Sequence, residues 1–328
     1  MADNAKNIFA EQIKFAQDEI NSYLQSLVPA EPRSLYDPVR YIIEAGGKRL
    51  RPVLTYLCTL QQQDCNWLPA AAAVEMLHTF TLVHDDIMDN AATRRGLKTL
   101  HELYDLNTAI LAGDVLIALA ETSLASGKYN AAPEMMLEFA NAFRYVCEGQ
   151  ALDKEFEKNN SVSTEDYFRM IDLKSAKMIE LAAVLGGYAW GMSDVEPLRL
   201  FAHHLGLAFQ LRDDLLDLTS QNASFGKSIG GDIIEGKRTF LFLRAYESIA
   251  NISEAEQQLL TRILHQQAKW DDVEPVRTLF TKIGVIEESK KMIADHTNIA
   301  QSALEKIELP DLRTGLQHFS EYLLHREH

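Results

Sequence analysis

The stretch LPAAAAVEMLHTFTLVHDDIMDN, Leu68 to Asn90, governs how the rest of the chain is read. Pro69 suits a first helical turn, where its missing N–H costs nothing. The residues after it are mostly apolar or good helix formers, without the alternation of a strand, so the spacing predicts a helix over 68–90. That helix ends in DDIMD. Asp85 and Asp89 stand at i and i+4, on one face a turn apart, where their repulsion calls for a cation. Acidic clusters are more often solvated faces or helix N-termini favoured by the dipole. This one closes an apolar helix, with Leu77, Phe80, Leu82 and Val83 just before it.

Outward from this segment the same signal recurs. Residues 4–27 place Ile8, Phe9, Ile13, Ala16, Ile20, Tyr23, Leu24 and Leu27 at spacings of three and four. Comparable patterns cover roughly 38–45, 52–62, 107–126, 134–158, 164–190, 195–218, 238–249 and 254–267, with further helices to 325. The chain holds only 16 Gly and 9 Pro, and its breaks are short: Asp37-Pro38, Gly46-Gly47, Pro52, Ser163 to Asp166 and Asp194 to Pro197 read as helix starts or stops. No linker and no solenoid repeat is visible. The expected fold is all-α, a single domain over 1–328 with ten or more helices. Residues after 245 carry no motif and read as helical packing.

A second DDxxD, Asp213, Asp214 and Asp217 in AFQLRDDLLDL, again lies late in an apolar helix. Hard oxygen donors of this kind suit magnesium, which keeps several waters and completes its shell with substrate phosphates. Cations lie nearby in sequence. In AGGKRLRP (45–52), Lys48, Arg49 and Arg51 fall in a turn before a helix N-terminus, where dipole and side chains both attract an anion. Arg94 and Arg95 follow the first cluster, and a guanidinium can grip phosphate as a fork. FGKSIGGDIIEGKRT (225–239) is a Gly-rich loop carrying Lys227, Asp232, Lys237 and Arg238, and loops of this type often act as lids.

AGGKRLRP, EMLHTFTLVHDDIMDNAATRRG, DLKSAKMIELAA, AFQLRDDLLDL and FGKSIGGDIIEGKRT stand in the order and spacing of the trans-isoprenyl diphosphate synthases, or polyprenyl synthetases. The chain resembles that family from residue 45 to about 240. The resemblance implies an all-helical homodimeric enzyme with a central cavity, joining isopentenyl diphosphate to an allylic diphosphate with two or three magnesium ions per site. It implies metal ligation by Asp85, Asp89 and Asp213, with Asp86, Asp214 and Asp217 supporting. Lys48, Arg51, His78 and Arg95 match positions that hold isopentenyl diphosphate. Arg94, Lys174, Ser175, Gln210, Lys227 and Lys237 match those around the allylic substrate. Ser175 stands where threonine is commoner, which preserves the hydroxyl. His78, read alone, is a packed core histidine; the motif reverses that reading.

Product length is read from residues before Asp85. The family's isoprenoid tail grows toward Leu77, Phe80 and Thr81, and a large ring at Phe80 implies an early stop. Geranylgeranyl diphosphate is the expected product, with farnesyl diphosphate or a longer chain as the alternative. Phe80 as plain core packing is the competing reading. A class I terpene cyclase shares the fold but lacks a second aspartate cluster and a place for isopentenyl diphosphate; a non-catalytic partner subunit has generally lost one cluster. Glu75-x-x-His78 has no second copy, so a di-iron bundle does not fit, and His84-Asp85 lacks the spaced partners of an HD-type phosphohydrolase.

Composition narrows the setting. A net charge of −15 repels nucleic acid. Cys58, Cys65 and Cys147 form no disulfide framework or zinc pattern, which with the N-terminal MADNAKNIF suggests a soluble, cytoplasmic protein. The richest apolar run, Leu106 to Ala125, is interrupted by Asp114 and Glu121, so no transmembrane segment is expected.

Overall fold

A computed structural model describes residues 2–59, 65–220 and 229–324. It is helical nearly throughout: α1 (Ala2–Leu27), α2 (Arg33–Glu44), α3 (Leu50–Leu57), α4 (Leu68–Met88), α5 (Leu100–Leu103), α6 (Leu106–Ser126), α7 (Ala132–Phe156), α8 (Thr164–Ile171), α9 (Lys177–Trp190), α10 (Glu196–Thr219), α11 (Gly231–Glu235), α12 (Phe240–Glu247), α13 (Glu254–Leu264), α14 (Val273–Lys282), α15 (Val285–Leu304) and α16 (Pro310–Leu324). The all-α expectation holds. A two-residue hairpin, Thr93–Arg94 against Leu97–Lys98, is too short to leave a periodic trace in sequence.

Packing divides the chain into two compact units: Met1–Arg144 with Met178–Ala202 and Ser302–Tyr322, and Tyr145–Lys177 with His203–Gln301 and Leu323–His328. All five cuts fall inside helices, in α7, α9, α10, α15 and α16, and none falls at a linker.

In the first unit, Phe9, Ile13, Ala16, Ile20 and Leu24 bury one stripe of α1, while Ile8 is 48% exposed, so the stripe starts one residue later than the pattern suggests. α4 is enclosed by α1, α3 and α6. Its alanines, Ala70 to Ala73, are fully buried and let neighbours come close. Gly113 of α6 does the same from the other side: a Cβ there would stand 2.3 Å from Nε2 of His84. α6 is long and apolar enough to cross a membrane by length and composition, which corrects the expectation that no stretch qualifies. Its buried stripe, Ala109, Ala112, Gly113, Leu116 and Ala120, lies on the helix that packs along α4. Pro38 sits inside α2 rather than at its start.

The second unit is built on a core of Tyr167, Phe240, Phe242, Leu260, Ile263, Val276, Leu279 and Phe280. Residues after 245 supply much of it, as their apolar periodicity suggests. α8 opens on a reciprocal cap: Asp166 donates its backbone N–H to Ser163 Oγ and accepts from Ser163 N–H at 3.0 Å. Asp172–Ala176 forms a π-helical turn between α8 and α9, a feature that often marks functional segments. Glycine admits it. A Cβ on Gly149 of α7 would stand 2.5 Å from the backbone N of Lys174, and one on Gly206 of α10 would stand 2.6 Å from Cα of Ala176.

Candidate active site

In the first unit the site is built around the last turns of α4. Asp85 is half-buried and Asp89, which caps the helix, is exposed. Asp86 points elsewhere. It is buried, and its Oδ1 accepts from Nε of Arg94 at 2.6 Å. Burial raises the Asp86 carboxyl above the ordinary range, with Arg94 opposing that shift. The turn after α4 is held by Ala91 N–H to the Asp86 carbonyl at 2.9 Å and by Thr99 Oγ1 to the Ala91 carbonyl at 2.7 Å. These bonds fold the 93–98 hairpin, with Arg94 and Arg95, back toward α4.

Arg51, His78, Arg94 and Arg95 gather about this end. His78 has its pKa pushed well below the ordinary value, by desolvation first and then by Arg51, Arg95, Arg94 and Arg49, so its ring is neutral. Arg51 is depressed by burial, with Glu75 opposing and Arg95 adding to the shift. Arg95 donates to the Gly46 carbonyl and lies over Gly47, whose φ of +153° and missing side chain make the room: a Cβ there would meet Nη1 at 2.5 Å. Lys48 is exposed, and its carbonyl accepts from Gln17 at 2.7 Å. A cleft lined by Tyr41, Arg49, Glu75, Asp86, Arg94 and Arg95 opens here.

Arg49 departs from the sequence reading. It is 4% exposed and bonds Glu75 at 2.6 Å, Asn21 at 2.9 Å and the Ile43 carbonyl at 2.7 Å. It is a structural cation, not an anion receptor. Motif grouping hides this, because its partners come from three helices.

Of the residues expected to set product length, Leu77 is fully buried and Phe80 is 8% exposed. The Phe80 ring packs against His84 at 4.4 Å between centroids and edge-on to Phe143 of α7 at 5.2 Å. Thr81 turns its hydroxyl back to the His78 carbonyl.

In the second unit, Asp213 is exposed and Asp214 is buried. Asp214 accepts from the Tyr167 hydroxyl at 2.6 Å and from Nε2 of Gln210 at 2.8 Å, and Gln210 in turn accepts from Ser175 Oγ at 2.7 Å. Burial, then the Asp232 charge, raises the Asp214 carboxyl well above the carboxylate range. Asp217 accepts from the backbone N–H of Asp232 at 3.0 Å and its carbonyl from Gly230 at 2.7 Å, which ties α11 to α10. Lys174 bonds Asp153 at 2.6 Å. Lys237 bonds Asp232 and Glu235; burial works against its charge, but the two carboxylates hold its pKa well above the ordinary value. Lys227 lies outside the described residues.

Sequence reasoning missed Asp153, Tyr167 and, as an anchor, Asp232. No local spacing announces a pairing such as Asp153 with Lys174, 21 residues apart. Among the described residues, no three Asp, Glu, His or Cys side chains converge as a metal cage. Magnesium takes one or two carboxylates and leaves the rest of its shell to water and phosphate. The i, i+4 pair of Asp85 and Asp89 fits such an ion.

Comparison with known proteins decides the family. A family described as Polyprenyl synthetase matches residues 32–282. The chain belongs to it. This polyprenyl synthetase is 35% identical to the short chain isoprenyl diphosphate synthase of Methanothermobacter thermautotrophicus over 93% of this chain and 94% of that one. It is similar in structure to geranylgeranyl pyrophosphate synthetase from Pyrococcus horikoshii, with a TM-score of 0.87, 32% identity and 98% and 99% of the two chains covered. A polyprenyl synthase from Caulobacter crescentus, solved with calcium and isoprenyl diphosphate, matches at a TM-score of 0.86 and 28% identity, covering 98% and 97%. This polyprenyl synthetase is a prenyltransferase, and its family uses divalent metal to ionise the diphosphate.

Proposed function

We propose that the chain condenses isopentenyl diphosphate with an allylic diphosphate to give geranylgeranyl diphosphate. The observation that carries this reading is the gathering of Arg51, Arg94 and Arg95 about neutral His78 of α4, the helix that ends in Asp85 and Asp89. Four cationic or hydrogen-bonding side chains about a helix that carries two hard carboxylates suit a diphosphate and its metal better than a neutral ligand. The named activities of the Methanothermobacter and Pyrococcus relatives agree.

Lys48, Arg51, His78 and Arg95 would hold isopentenyl diphosphate. Neutral His78 offers a ring N–H to phosphate oxygen without needing protonation. Arg94, Lys174, Ser175, Gln210, Lys227 and Lys237 would receive the allylic diphosphate. Asp85, Asp89 and Asp213 would hold two or three magnesium ions. Magnesium, when bound, neutralises charge on the departing diphosphate. Asp86 keeps Arg94 oriented for the same charge, and fixed cations of this kind give the electrostatic term that is commonly largest. Leu77, Phe80 and Thr81 would set chain length, Phe80 acting as the floor. The enzyme would be cytoplasmic. It would form a homodimer through the outer face of α6, where Leu106 and Leu111 are more than half exposed.

The deciding experiment supplies purified protein with magnesium, isopentenyl diphosphate and dimethylallyl, geranyl or farnesyl diphosphate, and separates the products. A twenty-carbon diphosphate is expected. Ionisation of the allylic substrate without consumption of isopentenyl diphosphate would instead point to a cyclase. Phe80→Ala should lengthen the product; unchanged length would return Phe80 to core packing. Light scattering should give twice the chain mass, and Leu111→Arg should halve it.

A further inference from the structure

Gln17 and Asn21 stand at i and i+4 on α1, on the rim of the stripe that Ile13, Ala16, Ile20 and Leu24 bury. A rim position ordinarily takes any polar residue and leaves its side chain in water. These two amides instead reach the same short turn between α2 and α3. Nε2 of Gln17 donates to the Lys48 carbonyl at 2.7 Å, and Oδ1 of Asn21 accepts from Nε of Arg49 at 2.9 Å. A carbonyl only accepts and a guanidinium only donates, so the two amides have opposite duties.

The turn needs this support. Arg49 sits at φ +48°, a left-handed conformation that a residue with a side chain keeps only where its surroundings over-determine it. Glu75 of α4 and the Ile43 carbonyl of α2 hold its guanidinium, and Asn21 of α1 completes the grip. Lys48 comes just before Arg49 and Arg51 two residues after it, so the backbone at 49 sets where the two cations stand relative to each other.

We propose that Gln17 and Asn21 are positioning residues for isopentenyl diphosphate, an inference that rests on the role proposed above for Lys48 and Arg51. They act through the turn and not on the substrate itself. Gln17 fixes the peptide between Lys48 and Arg49, Asn21 fixes the Arg49 side chain, and the flanking cations are set before the diphosphate arrives. Groups ordered in advance lose less freedom on binding, so the effect falls on affinity for this substrate and not on ionisation of the allylic one.

The test uses the purified enzyme with magnesium and reads each substrate separately. Gln17→Glu removes the donor and Asn21→Leu removes the acceptor. Each should raise KM for isopentenyl diphosphate about tenfold, with kcat and KM for farnesyl diphosphate within about twofold of wild type. Asn21→Asp keeps an acceptor for Arg49 and should stay within about twofold of wild type in every constant. Asn21→Leu leaves a donor of buried Arg49 unpaired and costs stability; Gln17→Glu touches only the exposed Lys48 carbonyl and carries the test if the leucine variant does not fold. Without substrate, the amides of residues 46–51 should exchange with deuterium faster in Gln17→Glu than in wild type. Unchanged KM for isopentenyl diphosphate in Gln17→Glu, an equal loss on both substrates, or an Asn21→Asp enzyme as impaired as Asn21→Leu would overturn the proposal. So would equal exchange at the turn. If neither Lys48→Ala nor Arg51→Ala raises KM for isopentenyl diphosphate, the reading of the turn as its receptor fails, while exchange at 46–51 still judges the hold of α1 separately.

Discussion

Arg94 donates through Nε to Oδ1 of Asp86 at 2.6 Å, so the buried middle aspartate of DDIMD is taken up by a guanidinium, while Asp85 is half-buried and Asp89 exposed. Three consecutive-looking acids thus have two jobs. Asp85→Asn should lower kcat about 1000-fold or more, in line with losing a group that acts on transition-state charge. Asp86→Asn should cost about 10- to 100-fold, because one charge-assisted bond of roughly 1.5–3 kcal/mol is weakened. Steady-state kinetics at saturating magnesium separates the two, and equal losses would contradict the division.

Chelation gives a second expectation. EDTA should abolish turnover and added magnesium should restore it, since Asp85 and Asp89 repel a diphosphate unless a cation lies between them. Activity that persists in EDTA would contradict the receptor described above.

The Arg49–Glu75 pair is buried at both ends, with side-chain exposures of 2% and 6%. Removing one partner leaves the other charged and unpaired. Glu75→Ala should therefore lower stability by about 3–5 kcal/mol, read from urea unfolding midpoints. Glu75→Gln should cost less, because the amide still accepts a hydrogen bond.

Gly47→Ala should act on one substrate. The new Cβ would push into the Arg95 guanidinium, the far end of a long side chain, so the protein should still fold. KM for isopentenyl diphosphate should rise about tenfold, roughly 1.4 kcal/mol, with KM for the allylic substrate little changed.

Acid stability should follow a histidine pair in the second unit. Nδ1 of His204 lies 2.9 Å from Nδ1 of His296, a bond that requires one ring to accept. Burial, then His203 and His296, lowers the His204 pKa to about 4, and burial lowers His296 too. Asp172 faces His203 from the π-helical turn at 3.2 Å, and Asp295 acts on His296 from α15. Because the folded pKa lies below the unfolded value of ~6.5, the unfolded chain binds more protons between those limits. Stability from this pair is full above pH ~6.5 and falls as pH drops toward 4. Melting curves from pH 7 to 4 should show the loss, and His204→Phe should flatten it.

Helix type and order were legible because apolar residues recur at helical spacing and breaks carry caps, as at Ser163–Asp166. The π-helical turn was not, since DLKSA has ordinary helical composition and its distortion is allowed by Gly149 and Gly206 on other helices. Pro38 signalled a start it does not make, because α2 begins five residues earlier at Arg33. The site was legible as residue types in register, Asp85 and Asp89 above all. Partnership was not: Arg49 and Arg51 are two residues apart, yet only Arg49 meets Glu75 in a hydrogen-bonded pair. Such choices depend on which distant helix arrives beside each side chain.

Phe80, His84 and Gly113 form a chain of contacts in which a ring leans on a ring that fills the hollow left by a glycine. Trimming Phe80 to test its proposed hold on product length also withdraws the support of the side chain immediately before Asp85. Redesign for longer polyprenols would therefore trade speed for length unless a second substitution refills that gap, and the most productive libraries would vary positions 80 and 84 together while leaving 113 untouched.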